Sequence, residues 1–486
     1  MPTLTIDTGG PARLTVRAED GTWCVPEHAV RDRTAAERPG AMDLDLDATD
    51  RSGSVPGYTR HVVTDGVLEV PVPRGTCTVI AERGPEHHRV ERRIDAGPGS
   101  TRVSAVPERW TDLAAEGWWS GDLHVHRPLA DAGLLLRAED LHLAAVVTRW
   151  TGQPAAEDVA GPPWAAATVD GDRHVVAPVT EDERGGGAWL LHGASVGDLP
   201  GTDARSWWYP AGRGLVDRAR ARGAWFDCEK LTWWETPVMM ATGAPDSVGV
   251  LNNHFLPGGF VANEAWGRPR DRGRYPGAAG TSRYHLDLYY RYLRCGLRLP
   301  ASAGSASGVL PAPPGYNRVY VQAPGPLTVA EFYDALRAGR SMVTNGPLLT
   351  CTVDGQGPGA TVPAGPARVR ASVRWTGPPG TVEVVADGRV VARADGPELD
   401  TTVDLSRCGW LAVRATVPDP VTVRLAHTSP VYVDRDAPPD PEDRAFFAHW
   451  IAELTEADRA DRTRFTAPAH RDEVLDLYQR AARFYR

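Results

Sequence analysis

Two histidines, His124 and His126, stand one residue apart in the stretch WWSGDLHVHR, residues 118–127. On a strand, residues i and i+2 face the same way, about 6 to 7 Å apart. Both imidazoles then reach one ion, and Asp122 on the same face supports them from the second layer. A half-exposed strand carrying imidazoles satisfies the same pattern, so its partners decide. Several other apolar runs end in an acid or a histidine. Glu181 ends HVVAPVTE and opens an acidic cluster with Asp182 and Glu183, whose plain alternative is a solvated turn. Glu229 ends AWFDCE beside Lys230, the single lysine in a chain with 53 Lys plus Arg. Lysine is a compact charge with a tunable pKa, and arginine is neither, so a lone lysine beside an acid is a candidate proton carrier or charge stabiliser. His254 ends GVLNNHF in a polar, Gly-rich loop. His142 and His192 flank apolar runs and read as boundary or core histidines. His285 reads as packing, Glu139 and Asp140 as helix charges, and the adjacent His87 and His88 as solvated.

Those residues need elements to position them. Residues 1–108 hold short alternating runs such as ARLTVRAED and TCTVIAERG, bounded by Gly, Pro and Asp, which predict an N-terminal β-sandwich. Residues 109–346 alternate strand and helix patterns: DLHVH and LAAVVTRW as strands, DAGLLLRAEDLH and YHLDLYYRYLRCG as helices, and a Thr-capped helix in LTVAEFYDALRAGR. Such alternation predicts an α/β domain, and candidate ligands at the ends of successive strands are how such domains build sites. Residues 347–435 return to β as a C-terminal sandwich, with a hairpin turn at ADGR. Residues 436–486 are a linker and a charged helical tail whose apolar stripes predict packing onto the body or a second subunit, leaving a homodimer open. Twelve of the sixteen tryptophans lie between Trp110 and Trp266. Pairs such as Trp207–Trp208 and Trp233–Trp234 predict that part of this aromatic surface lines a cleft.

Composition excludes some functions. A net charge of −9 argues against nucleic acid or an anionic membrane as partner. The N-terminus lacks a basic, then apolar, signal pattern, and no run of eighteen apolar residues occurs; the expectation is a cytoplasmic protein acting on a small molecule. Six scattered cysteines without a CxxC fit reduced thiols.

WWSGDLHVHR, LLLRAEDLHLAAVVT, CGLRLPASAGSASG, GYNRVYV and LRAGRSMVTNGPLL together resemble the CehA/McbA-like metallohydrolases of the PHP superfamily, over roughly residues 75–360. The resemblance implies a distorted (β/α) barrel around a metal centre, flanked here by the two sandwiches, and hydrolysis of ester, carbamate or phosphoester bonds. His124 and His126 match the family's first metal-binding pair, and Glu181 its following acid. Arg149 and Trp150 stand where an Asp-His pair is usual, Glu229 near the usual His-Pro, and Ala306 and Gly308 where the closing ligands are usual. The departures leave one ion. The expectation is a mononuclear zinc, manganese or iron site of His124, His126, His254 and a carboxylate, Glu229 or Glu181. Lys230, Glu181 and Arg149 are the expected catalytic groups, with Trp208, Trp234 and Arg318 binding substrate. Two alternatives stay open: a non-haem iron oxygenase or lyase on the same scaffold, and a non-catalytic binding protein.

Overall fold

The structure is a computed structural model that describes residues 1–24, 30–31, 61–150, 165–184, 186–194, 208–264, 267–436 and 438–486. It is a mixed α/β protein made mostly of sheet. Trp207 and Trp266 lie outside the described residues.

Near the N-terminus, Thr3–Asp7 pairs with Val67–Pro71 and Ser100–Ser104 in one sheet. Ala12–Ala18, Val62–Thr64, Gly75–Glu82 and Val90–Ala96, with the short Val30–Arg31, make a second. Alternation places Leu4, Ile6, Leu14, Val16, Val70 and Val79 in the shared core. Ion pairs tie this unit to the rest. Arg13 meets Glu139 at 2.6 Å, and Arg109 meets both Glu86 and Asp140. Glu139 and Asp140 are therefore buried clamps and not exposed helix charges. His87, expected in solvent, is buried 3.8 Å from Asp140.

The middle of the chain builds one long sheet. From one edge its order is Ala301–Ala303, Ser247–Leu251, Trp225–Cys228, Trp189–His192, Arg173–Asp182, Leu143–Trp150, Trp118–Val125, Arg318–Gln322 and Ser341–Thr344. The histidine strand Trp118–Val125 is buried along its whole length, as expected of a parallel neighbour covered on both faces. Trp189–His192 runs antiparallel to both its neighbours. Only residues 183–188 join it to the strand before, too short for the helical crossover that parallel pairing requires. The alternating β/α pattern breaks there.

Trp118–Val125 and Trp225–Cys228 are four pairings apart, about 19 Å across a flat sheet. Yet His124 Nδ1 lies 2.8 Å from Glu229 Oε1. The sheet is therefore strongly rolled. Its edge comes back onto the histidine strand, where His126 N–H donates to Ser307 O at 2.8 Å. A Cβ at Gly304 would stand 2.5 Å from His124 Cβ, so the approach needs glycine. The contact is a single bridge, Val125 to Ser307, and no ladder closes the sheet into a barrel among the described residues.

The same sheet continues through Arg424–Thr428, Trp410–Val417, Thr381–Ala386 and Arg389–Asp395. Against it packs a three-stranded sheet of Leu348–Val353, Pro366–Arg374 and Glu398–Asp404, with Leu349, Val369, Val384 and Val413 between them. The capping-box helix Val329–Arg337 starts as its sequence predicts: Thr328 Oγ1 accepts from Glu331 N–H, and the Glu331 carboxylate accepts from Thr328 N–H. The tail forms two helices, Pro441–Ala460 and Pro468–Phe484. Asp440 caps the first by accepting from the N–H groups of Glu442 and Asp443. Phe447, Trp450, Leu454, Val474 and Tyr478 join the main core, so the stripe packs onto the chain's own body. Among the described residues no helix is long and apolar enough to cross a membrane.

Candidate metal centre

Two i, i+2 pairs meet inside the rolled sheet. His124 and His126 come from the histidine strand and its end, and Glu181 and Glu183 from the end of Arg173–Asp182, with one strand between. All four are buried. His124 Nε2, His126 Nε2 and Glu181 Oε2 form a triangle with sides of 2.8, 2.9 and 3.1 Å. Ligands about 2.1 Å from one ion stand about 3.0 Å apart on an octahedral face and about 3.4 Å apart in a tetrahedron. The triangle has the size of an octahedral face, so the donor set fits one divalent ion with two histidines and one carboxylate.

Glu229 supports this trio from outside it. One of its oxygens is on His124 Nδ1 at 2.8 Å, and the other is 2.6 Å from Lys230 Nζ. A metal-ligating histidine commonly gives its second ring N–H to a carboxylate, which sets the tautomer and makes the ligating nitrogen more basic. Glu229 holds that place, and Glu181, expected to be catalytic, is the carboxylate facing both imidazoles. Lys230 bridges on to Glu183 Oε1 at 3.0 Å, and Trp150 Nε1–H donates to Glu183 Oε2 at 3.0 Å. The Trp150 ring sits 5.0 Å from the His126 ring, and Trp233 lies 5.4 Å beneath the ammonium.

These groups set each other's charge. Burial pulls the His124 imidazole down, but Glu181 and Glu229 overcome it and hold the ring well above its ordinary value. Burial pushes Glu181 up, and His124, with hydrogen bonds from both histidines, brings it well below the usual carboxylate range. Glu229 is brought down to about 2 against burial by His124 and Lys230. Burial pushes Glu183 up to about 7, with Lys230 resisting and Glu181 and Glu229 adding to the rise. Burial would discharge Lys230, but Glu183 and Glu229 outweigh it and raise its pKa. Without a metal, a proton on His124 serves as the cation between two carboxylates.

Asp122 works through the backbone. Its carboxylate accepts from His124 N–H and Ser305 N–H, each at 3.0 Å, from Ser305 Oγ–H at 2.5 Å and from Gly315 N–H at 2.6 Å. It fastens the rolled edge to the histidine strand. Gly249 permits a similar approach: a Cβ there would stand 2.4 Å from Glu229 O.

Other expected residues lie elsewhere. His254 is buried, and burial together with Lys230 pushes its imidazole down to about 3. It belongs to neither cluster of potential ligands whose donor atoms lie within 4.8 Å of one another. The Asn252–Val261 turn holds it, with Phe255 N–H donating to Asn252 O and Val261 N–H to His254 O, within electrostatic reach of Lys230 and Glu229. Arg149 stands opposite Thr180, and no described hydrogen bond links it to the site. Arg318 donates through Nε–H to Gly315 O at 2.6 Å and through Nη2–H to Glu139 O at 3.1 Å, so it braces the loop that holds Asp122. Trp208 lies under Arg464, 4.4 Å from its ring, and Trp234 packs edge-on against Trp450 at 6.3 Å. Arg464, between the two tail helices, and Trp450, in the first of them, pack against these two partly buried rings. His142 pairs with Ser120, His192 with Tyr333 and His285 with Gly249 O, all as buried structural histidines.

In sequence, Glu183 stands only as one acid of the cluster after Glu181, and Trp150 only as a departure from the usual Asp-His pair, without a place in the site for either. The available signal for Glu183 was its i+2 spacing from Glu181 after a long buried strand, which puts both on one face.

No family model and no curated protein matches the chain. A solved structure of an engineered protein is similar at 14% identity over 50% of this chain and 54% of that one, with a TM-score of 0.15, a likeness that carries no argument about fold or function.

Proposed function

We propose that this chain is a mononuclear metal-dependent hydrolase of an ester, amide, carbamate or phosphoester bond in a small molecule. The observation that supports it is the buried triangle of His124, His126 and Glu181, sized for one face of a single ion. A bound divalent ion at that face supplies Lewis acidity toward a carbonyl or phosphoryl oxygen and acidifies a water. His124 is oriented for ligation by Glu229, and His126 by its backbone bond to Ser307. Glu183 is the proton acceptor in this reading, since it is the buried carboxylate grouped with Glu181 and Glu229 that is neither a ligand nor on a ligand's ring. Lys230 and Trp150 hold its two oxygens in place. The reading also draws on the CehA/McbA-like resemblance of the sequence, and the return of residues 304–307 to the histidine strand is the feature of the fold that supports it.

A second reading draws on the same triangle. Two histidines and one carboxylate on one octahedral face are also the ligand set of non-haem iron oxygenases. Metal analysis of natively purified protein separates the two. Zinc or manganese near one per chain, with cleavage of a p-nitrophenyl ester that His124→Ala abolishes, supports the hydrolase. Iron near one per chain with dioxygen consumption supports the oxygenase. Absence of any metal, with no loss of function in His124→Ala plus His126→Ala, refutes both.

A further inference from the structure

We propose that the Lys230 ammonium is the built-in second cation of this centre: it occupies the acidic space beside the metal face and limits the site to one ion. This rests on the metal reading of His124, His126 and Glu181. Glu181, Glu183 and Glu229 are all buried, and their ligand oxygens lie within 4.8 Å of one another. Three carboxylates so close together form a second potential cation site. Lys230 Nζ fills it, 2.6 Å from Glu229 Oε2 and 3.0 Å from Glu183 Oε1, with only 3% of the residue exposed. The oxygens it leaves are also in use: Glu229 Oε1 on His124 Nδ1, and Glu183 Oε2 on Trp150 Nε1–H.

Charge and shape both favour this assignment. The three negative charges are matched by one ammonium and one divalent ion, with both histidines neutral. Removing the ammonium leaves a buried deficit that a second divalent ion would fill. An ammonium is a compact point charge with three donors, the nearest side-chain equivalent of a small cation, whereas a guanidinium spreads its charge over a planar fork. The chain uses arginine at every other basic position, so its one lysine stands where the compact shape matters.

The test is metal content by mass spectrometry after equilibration in Mn2+ and removal of loose ions. One ion per chain is expected for the wild type and two for Lys230→Met. Lys230→Met/Glu183→Gln, which removes a negative charge along with the ammonium, is expected to return to one. In chelator Lys230→Met should melt below the wild type, and excess Mn2+ should restore it. A Lys230→Met chain with one ion or none, or one that stays unfolded in millimolar Mn2+, overturns the assignment. Two ions in the wild type also overturn it while leaving the metal reading intact. No ion in the wild type overturns the metal reading instead.

Discussion

Glu229→Gln tests the arrangement most sharply, because the residue touches a ligand and is placed outside the ligand set. The amide keeps nearly the same shape and retains an oxygen to accept from His124 Nδ1–H, now 2.8 Å away. What it loses is the charge that makes Nε2 a better donor to metal, together with the oxygen that accepts from Lys230 Nζ. Removing such a supporting carboxylate typically weakens metal binding by about 10- to 100-fold, or about 1.4 to 2.7 kcal/mol. Glu181→Gln removes a ligand oxygen and should cost far more, leaving no binding at micromolar Mn2+ or Zn2+. The assay is competition against a fluorescent chelator at fixed pH, with circular dichroism confirming that each variant is folded. Two results refute the reasoning. If Glu229→Gln loses binding as completely as Glu181→Gln, Glu229 is itself a ligand. If its affinity equals that of the wild type, the carboxylate does not act on the metal through His124.

Four further predictions follow from named contacts. Because His124 without metal carries a proton held above its ordinary value by Glu181 and Glu229, metal binding must displace that proton, so affinity should tighten between pH 6 and pH 8 and calorimetry in two buffers should show proton release; a flat profile refutes this. Burial pushes Glu235 up to about 7, where it accepts from Gly212 N–H and Tyr478 OH. The unfolded chain loses that proton near 4.5, so stability should fall from pH 4.5 to 7 by up to about 3 kcal/mol at this site, and Glu235→Gln should melt higher than the wild type at pH 8 but not at pH 4.5. Gly304→Ala drives a Cβ to 2.5 Å from His124 Cβ, and metal affinity in the chelator assay should drop at least about tenfold while far-UV dichroism is kept. Trp450→Ala empties a fully buried position among Phe446, Phe447 and Trp234 and should cost about 3 to 5 kcal/mol in urea unfolding; a loss under about 1 kcal/mol would mean the tail is not part of the core.

Period and punctuation in the sequence determined the local elements. LAAVVTRW forms the strand Leu143–Trp150, the Thr328–Glu331 spacing forms a capping box, and the i, i+2 spacing of His124 and His126 puts both rings on one face. These outcomes depend on a few consecutive residues, whose steric and hydrogen-bonding preferences act within one turn or one strand. The rolling of the sheet depends on none of them alone. It brings Glu229 from four strands away onto His124, and it buries the acidic cluster, which has the composition of a solvated turn, so that Glu181 faces both histidines, Asp182 pairs with Arg184 and Glu183 pairs with Lys230. The closing glycine and Asp122, which fastens the rolled edge, lie nearly two hundred residues apart in sequence. The tryptophans show the same limit. Adjacent pairing in sequence marked Trp208 and Trp234 as aromatics of a cleft, and Arg464 and Trp450 of the tail, more than two hundred residues later, pack against them. Sequence therefore determined which side chains share a strand face. Only the tertiary structure decided which faces meet, because burial energy depends on total area enclosed and not on any short pattern.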